Sequence, residues 1–185
     1  MLKGFNIILS MILIVMSLLF LACTDKLDNN QQVKSIDKGQ RKKDLMEANR
    51  NLVMQELEAI DEYVNQHNLD MVKTGTGLRY CIEKQGEANL IKMGDVVSLD
   101  YEMCFLNNEE VVASSQKDGL MTFIVGRGGV EIGLEEAILY LHKGDVATII
   151  IPSYLAYGLI GDGDKIPPRT TMVYKVKVIE NQSNK

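Results

Sequence analysis

The chain is short of cysteine, histidine, proline and positive charge, and each shortage removes a class of function. Three Cys in 185 residues are too few to staple a disulfide-dense miniprotein. Two His without a Cys-x-x-Cys pair give no zinc constellation. Neither a metal nor a cofactor is expected. A net charge of −5 argues against a nucleic-acid partner held by phosphate neutralisation. Three Pro and 15 Gly, with 46% apolar and 24% charged residues, exclude collagen-like and wholly disordered polymers. The length leaves room for one ordinary domain and an appendage.

The hydrophobic residues are unevenly spread. From Ile7 to Ala22 the chain is apolar apart from Ser10 and Ser17, with Lys3 as the sole charge before it. This reads as an export signal over 1–22. A retained membrane helix is the alternative, although about 20 apolar residues are usual for a span. The ending Leu19-Phe20-Leu21-Ala22-Cys23 favours cleavage, because it resembles the lipobox of bacterial lipoproteins. That resemblance implies lipidation at the Cys23 sulfur, and a diacyl chain pair anchors stably where one chain is marginal. Cleavage would leave 163 residues and, with Lys3 lost, a net charge of −6. The expected location is the bacterial cell envelope, with a lipid-anchored, periplasm-facing domain.

Residues 23–40 are polar and aperiodic, as a flexible tether is. Over 41–68, Leu45, Leu52, Val53, Leu57, Ile60, Tyr63 and Val64 recur at helical spacing, predicting an amphipathic helix of about seven turns. Such a helix packs on its own domain or serves as an arm for homodimerisation or client binding, and the pattern leaves both open. Over 69–185 the texture turns to strands. Leu99, Tyr101, Met103 and Phe105 alternate with Ser98, Asp100 and Glu102, and Val176 and Val178 with Lys175 and Lys177, which predicts one buried and one wet face. One short helix interrupts them at 133–141, with Leu134, Ile138 and Leu141 on one stripe and Gly144 as its stop. Together these give an α+β class, an antiparallel five- or six-stranded half-barrel wrapped on a short helix. Cys81 and Cys104 fall on the polar parity of their strands and are expected to stay unpaired thiols.

The set Asp100-Tyr101, Ser114-Ser115, Phe123-Ile-Val-Gly126, Val130…Gly133-Leu134-Glu135-Glu136, Lys143-Gly144-Asp145, Ala156-Tyr157-Gly158, Ile166-Pro167-Pro168 and Met172-Val173-Tyr174 resembles the FK506-binding-protein (FKBP) type of peptidyl-prolyl isomerases. The likeness covers about 76–179. Together with the lipobox and the preceding helix, it is similar to lipoprotein members of the Bacteroidetes, including those associated with gliding motility. The resemblance implies a prolyl pocket for proline-containing polypeptide clients. Tyr101 and Phe123 would form a wall, Val112 and Val130 the flank and rim, and Leu134 the floor. The Glu131 backbone N–H and the Tyr157 hydroxyl would hold substrate carbonyls, while Ile166 and Tyr174 close the far side.

Two departures bear on activity. Val112-Ala113 stands where the family has Phe-Asp, so one aromatic wall is trimmed and an acidic acceptor is gone. Val130-Glu131-Ile132-Gly133 replaces a common Val-Ile-x-Gly. The second position works mainly through its backbone N–H, so that function is expected to survive, whereas Val112 and Ala113 keep open a non-catalytic chaperone or assembly factor on the same fold. Asp162 and Asp164 read as turn formers, since the remaining oxygen ligands of a calcium loop are missing.

Overall fold

The computed structural model describes residues 38–179. The signal segment, Cys23 and most of the tether lie outside them. Of the two compact units into which the chain divides, 1–43 and 44–185, the first contributes to the description only the opening of the first helix.

The order of elements is α1 (Lys38–Gln66), β1 (Val72–Lys73), β2 (Arg79–Lys84), β3 (Val96–Phe105), β4 (Val111–Ser114), α2 (Ser115–Asp118), β5 (Met121–Ile124), α3 (Ile132–Ile138), β6 (Val146–Ile151), a 3₁₀ turn (Ser153–Leu155) and β7 (Met172–Ile179). All pairings are antiparallel, in the order β1-β2-β6-β7-β3-β4, with β5 also on β3. The seven strands occupy six positions. β5 pairs with the first half of β3 (Val96–Leu99) and β4 with its second half (Glu102–Cys104), so the two share one edge. The other edge of β3 pairs with β7 from Ser98↔Ile179 to Phe105↔Met172.

Alternation along β3 decides what each face meets. Val97, Leu99, Tyr101, Met103 and Phe105 join the main core with Leu134, Ala137, Ile138 and Leu141 from the α3 segment. α3 is shorter than its stripe. Leu139, Tyr140 and Leu141 close on carbonyls three residues back, at 3.2, 3.0 and 3.1 Å, the tighter geometry of a fading helix end. At its start Gly133 lets backbone meet sheet: a Cβ there would lie 2.3 Å from Ile151 Cγ2 and 3.1 Å from the Leu155 carbonyl oxygen.

The opposite face is not uniformly wet, which corrects the reading from alternation. Cys104, Ile150 and Val173 are buried on that side beneath Ile60 of α1, with Leu57, Tyr63, Val64, Met71 and Leu106 packed around them. The run Ile149-Ile150-Ile151, wholly buried in β6, carries the signature of a strand covered on both faces. Cys104 therefore sits in a second core rather than on a polar face, and burial pushes its thiol up. Cys81 and Cys104, the two cysteines among the described residues, are free. With β6 and β7 between their strands, spacings of about 4.8 Å per strand put them beyond disulfide reach.

α1 starts three residues before the apolar periodicity and ends two before its expected limit. The stop is a Schellman turn: Asn68 takes φ 50°, and Leu69 N–H and Asn68 N–H reach the carbonyls of Val64 (3.0 Å) and Asn65 (3.2 Å). Only the second half of α1 is docked, while Leu45, Met46, Leu52 and Met54 are exposed. Two carboxylates secure the docked half. Asp61 accepts from Arg79, including Nε at 3.1 Å, and from Lys73 Nζ at 3.2 Å; Arg79 is itself only 2% exposed. Glu56 accepts from Ser153 N–H (2.5 Å), Ser153 Oγ (2.8 Å) and Thr171 Oγ1 (2.6 Å). It thus ties both ends of the 153–171 segment to one side chain.

Removing the Glu56 acceptor leaves partly buried donors without a partner, at a cost of about 1–3 kcal/mol. Glu56→Ala is expected to speed amide exchange across 57–66 relative to the strands, read by hydrogen–deuterium exchange. Burial works to raise the Asp61 carboxyl, but hydrogen bonds and charge from Arg79 and Lys73 outweigh it and hold the group below its ordinary 3.8. A depressed carboxyl stabilises fully above its unfolded value and loses that contribution as pH falls through the folded one. Protection of 57–66 is expected to be level from pH 7 to 5 and to drop below pH 3.8, and Asp61→Asn should abolish that acid step.

Candidate functional site

The site residues come from six separate stretches, and the fold collects them at the inner face where α3 does not reach. β3, β5 and β7 bring Tyr101, Phe123 and Tyr174, and β4 brings Val112. Val130 and Glu131 lead into α3, which carries Leu134, and the 153–171 segment supplies Tyr157 and Ile166. All but Glu131 belong to or pack on the main apolar cluster. Leu134 and Tyr174 are fully buried, Ile166, Phe123 and Tyr101 are 4%, 7% and 9% exposed, and Val112, Val130 and Tyr157 are half-buried.

Two local devices set this geometry. The Ile166 loop folds on Asp162, whose Oδ1 accepts the amides of Asp164 (2.9 Å) and Ile166 (2.7 Å). Those backbone donors lower its pKa, so the aspartate is spent on the turn. Gly161 makes the turn feasible: its φ is +70°, and a Cβ there would sit 1.9 Å from the Ile166 carbonyl oxygen. On the other side Ser115 Oγ accepts the Tyr101 N–H at 3.1 Å and donates to Asp100. This explains the Asp100-Tyr101 and Ser114-Ser115 pattern as a splint behind the Tyr101 wall.

Polar groups in the hollow are few and mutually engaged. The Tyr174 hydroxyl donates to Glu131 Oε1 at 2.9 Å. The Tyr157 hydroxyl approaches the Met103 sulfur at 3.8 Å, a weak contact, and stands beside the Glu131 carboxylate and the Tyr174 hydroxyl. Burial and then the Glu131 charge push Tyr157 and Tyr174 far above the ordinary tyrosine value. Burial, Asp118 and Glu131 do the same more mildly for Tyr101. All three therefore remain neutral donors at physiological pH. Chemically the cluster excludes water and offers apolar surface with neutral hydroxyl donors beside it. Among the described residues no group of three or more His, Cys, Asp or Glu is placed to hold a metal ion.

The sequence placed Glu131 at the rim through its backbone N–H, and its side chain was missed. That carboxylate acts electrostatically on all three tyrosines, which makes it the central charge of the hollow. Its only sequence signal is a lone acid between Val130 and Ile132. Met103 was also missed as a neighbour of Tyr157, although its parity on β3 pointed inward. Cys23 lies outside the described residues.

The model of the FKBP-type peptidyl-prolyl cis-trans isomerase family matches residues 87–179. A probable FKBP-type peptidyl-prolyl cis-trans isomerase FkpA from Neisseria meningitidis is 38% identical over 112 residues, 60% of this chain and 40% of that protein. FK506-binding protein 1 of Dictyostelium discoideum is 32% identical over 104 residues, 56% of this chain and 96% of that one. The chain spans less than half the length of the FkpA relatives it matches, 40% in Neisseria and 44% in Buchnera aphidicola. Among solved structures, AtFKBP13 superposes with a TM-score of 0.57 at 27% identity, covering 60% of this chain and 98% of that one. FkpA from Escherichia coli gives 0.60 over 91% of this chain and 79% of its own length, at 22% identity, a likeness of fold. With β3 to β7 and α3 falling inside the matched span, the chain belongs to the FKBP-type peptidyl-prolyl cis-trans isomerase family.

Proposed function

We propose that the protein is a lipid-tethered peptidyl-prolyl cis-trans isomerase that assists the folding of exported polypeptides. The observation that carries the reading is the meeting of Tyr101, Phe123, Val130, Leu134, Tyr157, Ile166 and Tyr174 in one apolar cluster, with the Tyr157 hydroxyl half-buried and the Tyr174 hydroxyl inside it.

Such a hollow suits the reaction because rotation about an X–Pro bond needs no acid, base or nucleophile. Amide resonance sets a barrier of about 18–20 kcal/mol, and uncatalysed exchange takes tens to hundreds of seconds. The planar amide is the more dipolar and better hydrated form. A cup that strips its water and fits the twisted form lowers the barrier, and each tenfold acceleration needs about 1.4 kcal/mol of that preference. Phe123, Leu134, Ile166 and Tyr174 form the cup for the ring. The Tyr157 hydroxyl and the Glu131 N–H hold the carbonyls on either side of the turning bond, so the flanking chain stays fixed while one amide rotates.

The export signal over 1–22, lipidation of Cys23 and the tether ahead of α1 complete the proposal. They place the domain at an envelope membrane, within reach of clients that have just crossed it. A second reading, a non-catalytic holder of clients, is favoured by the trimmed wall at Val112-Ala113 and by the undocked half of α1, where Leu45, Met46, Leu52 and Met54 stand exposed. The same surface suits homodimerisation.

In magnetisation-exchange NMR on an Ala-Leu-Pro-Phe peptide, the protein is expected to accelerate exchange, and Phe123→Ala to lower the rate about tenfold or more, the loss of about 1.4 kcal/mol of fit. Binding without acceleration would select the holder. Val112→Phe with Ala113→Asp should raise the rate. In membrane fractionation, Cys23→Ala should move the protein out of the lipid-bound fraction.

A further inference from the structure

We infer that Glu131 is an affinity-determining residue of the prolyl hollow, its side chain occupying the place that the proline ring must take. The inference rests on the proposed isomerase reading and concerns the same site.

Four observations converge on it. Glu131 Oε1 is bonded at 2.9 Å to the hydroxyl of Tyr174, a side chain with no exposed surface at the deep end of the hollow. The second oxygen, Oε2, is buried and meets no donor in good hydrogen-bond geometry, the Tyr157 hydroxyl standing beside the carboxylate. The same carboxylate also raises the pKa of Tyr157 and Tyr174 and, more weakly, of Tyr101. Finally, the surfaces a ring would pack on, Leu134, Tyr174, Ile166 and Phe123, are at most 7% exposed. Entry of a ring therefore requires something to move.

Glu131 is the residue built to move. Its backbone is extended (φ −62°, ψ 146°) and lies just outside α3, so its side chain can rotate without unwinding a helix. Keeping a carboxylate oxygen buried without a donor is unfavourable, whereas at the rim that oxygen is hydrated. The hydrogen bond from Tyr174 holds the side chain in, and desolvation pushes it out. Substrate binding exchanges that one hydrogen bond for apolar contact of the ring. The chain thus carries its own competitor, and the observed affinity is the intrinsic affinity reduced by the fraction of time the hollow stands open. A site open a quarter of the time binds about fourfold more weakly.

The test uses the full-length protein with Ala-Leu-Pro-Phe, reading chemical-shift titration for Kd and magnetisation exchange for kcat and KM. Glu131→Ala is expected to lower Kd and KM about threefold or more while kcat changes less. Tyr174→Phe, which deletes only the partner hydroxyl, should shift Kd in the same direction, and the double variant should go no further than Glu131→Ala. Glu131→Gln keeps the length and an acceptor for Tyr174, and should stay near the parent Kd. Unchanged or weaker binding in both Glu131→Ala and Tyr174→Phe overturns the inference. If binding tightens in these variants while none accelerates exchange, the inference stands and the isomerase reading falls. If the parent catalyses but Kd and KM do not respond, the inference alone fails.

Discussion

The helix that must cover the inner face of the sheet is too short for it. α3 has seven residues, about 10 Å of axis, whereas β3 runs for ten residues and about 33 Å. An apolar sheet face cannot be left to water, so the remaining length has to be closed by side chains from loops and edge strands. Val130, Tyr157 and Ile166 come from loops, and Val112 and Phe123 from the divided edge of β4 and β5. The candidate site is the seam where these unlike pieces meet. This is why its walls come from stretches so far apart in the chain, and why its polar groups are few.

Much of this was legible in the sequence. Strict alternation in β3 and β7 fixed their inward faces, because a one-residue slip would turn every buried side chain outward. The punctuated motifs resembling the FKBP pattern then put Tyr101 and Tyr174 on those faces, with Phe123 of β5 and Leu134 of α3 turned toward them. The splint of Ser115 on Asp100 and Tyr101 gives a geometric sense to a pattern that a string of letters shows only as recurrence. Asp162 reads the same way, since a carboxylate followed two and four residues later by free amides is a turn before it is a ligand.

What stayed hidden depended on pairings across long sequence distances. Arg79 sits beside Tyr80 and Cys81 and gives no sign that it will be buried against the half-exposed Asp61, eighteen residues earlier. Alternation marked Cys104 as polar, and only the arrival of Ile60 from α1 buries it. Glu131 was readable as a backbone position, but the path of a flexible side chain depends on where Tyr174 ends up, 43 residues later. In each case local pattern specified the face and tertiary contact specified the partner.

The double grip of Glu56 on Ser153 and Thr171 turns the intervening stretch into a ring pinned at a single knot on α1. Tyr157 and Ile166 ride on that ring. A pull or twist applied along the exposed end of α1 is therefore delivered to Tyr157 and Ile166, as tension on a drawstring alters the mouth of a purse. Through one carboxylate, α1 becomes mechanically continuous with the apolar cluster to which Tyr157 and Ile166 belong.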